Sequence, residues 1–112
     1  MNSVHLIGNL TKDPELTRRG GKEVCDLRIA VSGRGSSDPI FVDVTTFDGS
    51  ARACALFLSR GRQVAVDGRL HYSRWQTEDG SRHSRLKVVG NVEFLGGRPR
   101  EMRGDDNEPV AA

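Results

Sequence analysis

Long apolar runs are missing from this chain. The longest, Ala53–Leu58, has six residues, far short of the roughly 20 that a membrane-spanning helix needs. Cysteine is scarce. Cys25 and Cys54 stand 29 positions apart, form no CxxC pair and share no ligand spacing with His5, His71 or His83. That pattern excludes a disulfide-stapled secreted scaffold and a zinc site. Both cysteines lie among apolar residues and read as small core side chains. A basic start followed by an apolar stretch is also lacking, so no signal peptide is expected and the expected location is cytoplasmic. Enzyme signatures are absent as well. There is no HExxH or GxSxG, and GRGSSD at 33–38 is neither a P-loop nor a complete dinucleotide fingerprint. Asp43 or Asp67 with Arg69 is the one grouping open to metal-dependent nuclease chemistry, and it falls short of a carboxylate cluster. No catalytic residue, cofactor or metal is expected.

What is present fits a small soluble domain. At 112 residues, 36% hydrophobic and 29% charged, the chain is one domain with a limited core. Charge is unevenly spread. Residues 1–100 carry sixteen basic and eleven acidic side chains, a net of +5, whereas 101–112 carry Arg103 against Glu101, Asp105, Asp106 and Glu108. A basic body with an acidic tail suits a nucleic-acid binder. Arginine outnumbers lysine 14 to 3, and guanidinium both stacks on bases and grips phosphate bidentately.

Period-2 alternation predicts strands over 4–11, 23–32, 40–47, 63–75 and 82–95. In the first, Val4, Leu6, Gly8 and Leu10 face inward; in the second, Cys25, Leu27, Ile29 and Val31. The third sets Ile40, Val42 and Val44 against Phe41, Asp43, Thr45 and Phe47. The fourth and fifth put Val64, Val66, Leu70, Tyr72, Leu86, Val88, Val92 and Phe94 inward. Residues 50–60 change to a helical period, with Ser50 as N-cap and Gly61 beyond the C-terminus. Lys12–Glu15 and Arg18–Gly21 read as turns, and 33–39 as a loop. Glu78-Asp79-Gly80-Ser81 carries a hairpin signal. The order β-β-β-α-β-β describes an all-β barrel of five strands, with one helix between strands three and four. The hairpin between strands four and five protrudes. The OB-fold is a small barrel of this kind.

The six aromatics carry the functional signal. Alternation sends Phe57, Phe94 and Tyr72 to the core, but Phe41, Phe47 and Trp75 to the polar face, in phase with Arg69, Arg85 and Lys87. Rings interleaved with cations are what a single nucleic-acid strand requires: stacking platforms and phosphate contacts. Arg28, on the polar face of the second strand, and Arg74, beside Trp75, complete the candidate set. A second reading stays open, in which a bulge slips the parity and Phe41 or Phe47 caps the barrel end.

Four blocks in order, VHLIGNLTKDPEL, FVDVTTFDGSARACALFLSRGRQVAVDGRL, RWQTEDGSRHSRLKVV and NVEFLGG, resemble the bacterial single-stranded DNA-binding protein family over roughly residues 1–98. The resemblance implies an OB-fold and a homotetramer. It also implies non-catalytic wrapping of single-stranded DNA in replication, recombination and repair, near the nucleoid. Phe41, Phe47 and Trp75 match three stacking aromatics of that family, with Phe41 where Trp is frequent. A further aromatic, usual in the loop after the second strand, is missing from SGRGSSD. The layout expected is a binding domain over 1–98 and a short acidic disordered tail over 99–112. Asp105-Asp106-Asn107-Glu108-Pro109 echoes in part the acidic tip through which the family recruits replication and repair proteins. An oligomeric module that binds RNA or a protein partner is the alternative.

Overall fold

Alternating side chains build a curved sheet that closes on itself. A computed structural model of the chain describes residues 1–33, 35 and 38–96. The elements are β1 (Val4–Leu10), β2 (Glu15–Arg19), β3 (Lys22–Val31), β4 (Ile40–Phe47), α1 (Asp48–Phe57), β5 (Gln63–Gln76) and β6 (Arg82–Phe94). The strands are ordered β1-β5-β6-β4-β3-β2, and a short β1–β3 pairing, Asn9↔Ala30 and Leu10↔Ile29, shuts the ring. Five strands therefore form a closed OB-fold barrel. All pairings are antiparallel except β4–β6, which is parallel over Val44↔Val88 and Thr45↔Val89.

Inward positions of every barrel strand meet in one core: Leu10, Cys25, Leu27, Ile29, Val44, Val64, Val66 and Val88. Helix α1 closes one end by burying Ala51 and Cys54, and Leu58 follows them into the same cluster. Burying a Leu, Ile or Val side chain contributes about 1.5–3 kcal/mol, so this short list is the main source of stability.

Several sequence expectations are corrected. The segment 15–19 is a sixth strand, hydrogen-bonded to β3 outside the ring. All five of its residues are exposed, so no apolar alternation could announce it. Gly20 and Gly21, at φ 58° and 83°, turn it back in two residues and pair Arg19 with Lys22. The helix runs 48–57 rather than 50–60. Phe47 is its N-cap, without a side-chain cap bond, and Ser50 lies inside the first turn. Gly61 is not the residue after the helix. At φ 93° it forms the next turn, where its N–H donates to the Leu10 carbonyl at 2.8 Å. Phe57 and Tyr72 are not core residues: both are more than half exposed, and so is Leu86. Phe57 packs at the surface against Phe94, with ring centroids 6.4 Å apart. Tyr72 and Leu86 keep the core phase but lie beyond the barrel wall, which ends near Val88.

That overshoot forms the protruding hairpin. β5 and β6 stay in register from Val64↔Phe94 to Gln76↔Arg82, and the outer turns stand clear of the barrel. Gly68 faces Gly90 where the ribbon leaves the wall. A Cβ on either glycine would overlap the backbone of the opposite strand. The expected acidic tail, 99–112, lies outside the described residues.

Candidate nucleic-acid interface

The register sets one row of side chains in common phase across four strands, of which Val24 and Thr45 are buried. On β3 and β4 the pairs are Ala30↔Phe41, Arg28↔Asp43, Asp26↔Thr45 and Val24↔Phe47. Thr45 lies beside Val89 of β6, and β6 pairs onward with β5 through Val89↔Arg69, Lys87↔His71, Arg85↔Ser73 and His83↔Trp75. Paired residues share a face, and alternate residues of a strand share it too. Arg28, Phe41, Phe47, Arg69, Arg85, Lys87 and Trp75 therefore occupy one surface that runs from the barrel wall up the hairpin. Phe41 and Phe47 are six residues apart on one strand, about 20 Å, and Trp75 lies a similar distance beyond Arg69.

Exposure places the rings at the surface. Phe41 is 52% exposed, Phe47 39% and Trp75 46%. None belongs to the core cluster, so the reading in which Phe41 or Phe47 slips inside does not hold. Arg74 is the one predicted residue off this surface. It pairs with Ser84 on the opposite face of the ribbon, with Tyr72 and Arg82. At the hairpin tip both faces border an open hollow of about 470 Å³ that Arg74, Trp75, Arg82 and His83 help to line.

Two partners escaped the sequence reading. His83 stacks on Trp75, centroids 5.6 Å apart and planes 20° off parallel. The Asp79-Gly80 turn fixes that register, so counting outward from the turn finds His83 opposite Trp75. The other is Asp43, whose carboxylate accepts from Arg28 at 2.9 Å and faces Arg85 at 3.3 Å. Arg28 in turn lies over the Phe41 ring, 5.4 Å from its centroid. Among the described residues, Arg69 and Lys87 have no ion-pair partner in reach.

The turn that carries Trp75 outward is held by its own hydrogen bonds. Thr77 Oγ1 and the Ser81 N–H both donate to Asp79 Oδ1. These bonds favour the charged carboxylate and lower its pKa from 3.8 to about 2. Elsewhere the chemistry is quiet. Burial pushes the Cys25 thiol up to about 11 and the Cys54 thiol to about 12, which leaves both protonated and poor nucleophiles at neutral pH. Asp67 pairs with His5 at 3.1 Å and Asp43 with its arginines, so the two carboxylates do not converge on Arg69. Among the described residues no three His, Cys, Asp or Glu side chains are grouped to hold a metal ion.

The chain is similar in sequence to single-strand binding proteins. The Single-strand binding protein family model matches residues 1–95. Single-stranded DNA-binding protein 1 of Clostridium acetobutylicum is 35% identical over 103 residues, which cover 85% of this chain and 94% of the relative. The single-stranded DNA-binding protein of Clostridium tetani is 35% identical over 102 residues, 85% and 70% of the two chains. Single-stranded DNA-binding protein 2 of Chlorobaculum tepidum is 31% identical over 118 residues, 96% and 78% of the two chains. The profile match takes in every element from β1 to β6, and on that ground the chain belongs to the single-strand binding protein family.

Proposed function

We propose that this chain binds single-stranded DNA without regard to sequence and protects it during replication, recombination and repair. The observation that carries the reading is the outward row that interleaves Phe41, Phe47 and Trp75 with Arg28, Arg69, Arg85 and Lys87. Any base can stack on a ring, and any phosphate can meet a cation, so the surface suits a strand of any sequence. Arg74 joins from the far side of the hairpin tip. No step of this function breaks a bond, and the role is binding rather than catalysis. The binding unit is residues 1–98, with 99–112 as an acidic tail that offers replication and repair proteins a contact. The cytoplasm, near the nucleoid, is where the ligand is found.

Self-association belongs to the same reading, with a homotetramer as the assembly. Its support lies at β1. The Val4–Gly8 stretch pairs with β5 alone, since β3 reaches only Asn9 and Leu10. Beside it a hollow of about 680 Å³ is lined by Ile7, Ala65, His5 and Asp67, and Ile7 is more than half exposed. A strand with one edge free next to an exposed apolar residue is a natural seat for a second copy. The rival reading, an oligomeric module for RNA or a protein partner, draws on Leu70, Tyr72 and Leu86, all exposed on the hairpin's other face.

A filter-binding titration with poly(dT), an RNA oligonucleotide and duplex DNA separates these readings. Tightest binding to poly(dT), weakened in Phe41→Ala, Phe47→Ala and Trp75→Ala, is the expected result. Equal affinity for duplex, or full affinity in all three variants, overturns the stacking reading.

A further inference from the structure

The Asp43 carboxylate sits in the middle of the proposed binding surface, on β4 between Phe41 and Phe47. A negative charge there opposes a polyanion, yet it is well anchored. Oδ1 takes Arg28 and Oδ2 takes Arg85, so one carboxylate engages cations from two different strands. The same contact holds the Arg28 guanidinium over the Phe41 ring. Three of the surface's groups, Arg28, Arg85 and the Phe41 face, are thereby engaged before any ligand arrives. We propose that Asp43 is an internal competitor for the DNA phosphate: it occupies Arg28 and Arg85 in the free protein and yields them only to a strand that also stacks on Phe41. The inference rests on the single-strand reading of this face.

The physical chemistry favours exchange over permanent pairing. The side chains of Arg28 and Arg85 are about half exposed and that of Asp43 about a quarter. Ion pairs this open to water are weak and screened by salt. A phosphodiester offers guanidinium two non-bridging oxygens that it can grip bidentately, as it grips a carboxylate, so it can take over each arginine in turn. Because the carboxylate must be displaced, a phosphate alone gains little at this spot. A strand whose base also takes the Phe41 face gains from both contacts. Duplex DNA keeps its bases stacked internally and gains only the first. Asp43 thus adds to discrimination between single strands and duplex, at some cost in affinity. Arg69 and Lys87, without ion-pair partners among the described residues, supply the attraction that does not depend on this exchange.

The test compares the native chain with Asp43→Asn and Asp43→Glu, on poly(dT) and on duplex DNA, across a salt series. Asp43→Asn is expected to bind poly(dT) about three- to tenfold tighter at low salt, because the strand no longer has to displace a carboxylate from two guanidinium groups. Its log–log salt slope on duplex should steepen by about 0.9–1.8 units, the change expected for one or two added phosphate contacts, whereas the slope on poly(dT), which already takes both arginines in the native complex, should stay near the native value. Duplex affinity should rise by a larger factor than poly(dT) affinity, and Asp43→Glu should stay close to the native chain in all three readouts. Asp43→Ser serves in the same comparison if the Asn variant folds poorly. Weaker poly(dT) binding in Asp43→Asn or Asp43→Ser, or an unchanged salt slope on duplex, overturns the proposal, since Asp43 would then organise the arginines rather than occupy them. Failure of the single-strand reading itself looks different: the native chain would bind poly(dT) no better than duplex, or lose nothing in Phe41→Ala and Trp75→Ala.

Discussion

Trp75 carries two separable properties, an exposed ring and a stacked neighbour. At 46% exposure it fills no cavity, so Trp75→Ala should leave thermal stability nearly unchanged. The loss of one stacking platform should weaken poly(dT) binding by about 1–3 kcal/mol, and Trp75→Phe should recover much of it. Trp75 is also the sole tryptophan, so quenching of intrinsic fluorescence by poly(dT), but little by duplex, checks the same point without a variant. His83 holds one face of the indole. His83→Ala frees that face and lets the ring turn, and a changed emission in the free protein is the readout. The cysteines are the opposite case. Cys25 and Cys54 are fully buried, and their raised thiol pKa values leave them neutral over the physiological range. A thiol reagent at neutral pH should modify neither until the protein is unfolded in denaturant. The unfolded thiols titrate near 9.0, below the folded values of about 11 and about 12. Their contribution to stability is therefore complete below pH 9 and declines as pH rises toward 11.

The hairpin is the element on which the site depends most, because it holds Trp75 away from the barrel. Its base requires glycine twice. Gly68 and Gly90 face each other across the ribbon with no room for a Cβ. Gly68→Ala or Gly90→Ala should cost about 1–3 kcal/mol through forced backbone shifts, read as a lowered midpoint in urea. The tip depends on a carboxylate. The folded pKa of Asp79, about 2, lies below its ordinary 3.8, so its stabilising effect is present above pH 4 and lost as pH falls toward 2. Hydrogen exchange at the Ser81 amide should accelerate over that window relative to amides of β5 near Val66, which do not share the turn. Asp79→Asn should abolish that dependence, since the amide does not titrate.

At the scale of the whole molecule, affinity should be electrostatic in range and aromatic in specificity. Four cations occupy the proposed surface, two of them shared with Asp43. Each phosphate met adds about −0.7 to the log–log salt slope, so a slope of a few units is expected and a flat response would remove the phosphate-tracking picture. Assembly is the second whole-molecule property. Sedimentation at micromolar concentration should show an oligomer, and Ile7→Glu, a charge placed beside the free stretch of β1, should shift it toward smaller species. A native chain that sediments as a monomer would contradict the role given to that edge.

Local rules determined much of this protein. Alternation alone located β1, β3, β4, β5 and β6 to within a residue or two, because each barrel strand buries one face and wets the other. The same parity put Phe41, Phe47 and Trp75 outside, which is where they lie. Helix α1 was legible from its change of period, though its cap was not. Its start is set by the turn through Asp48, at φ 53°, not by a capping side chain. Only the tertiary structure decided the rest. β2 is exposed on every residue and exists through its hydrogen bonds to β3, which have no signature in side-chain pattern. Tyr72 and Leu86 obey the core periodicity yet lie in solvent, because periodicity reports a face and not where the barrel ends. Asp43 reads in the sequence as a carboxylate to be weighed with Asp67 and Arg69, not as a partner of Arg28 and Arg85. Its engagement with Arg28 and Arg85 arises because ring closure sets β4 between β3 and β6, and that adjacency joins residues 15 and 42 positions away along the chain.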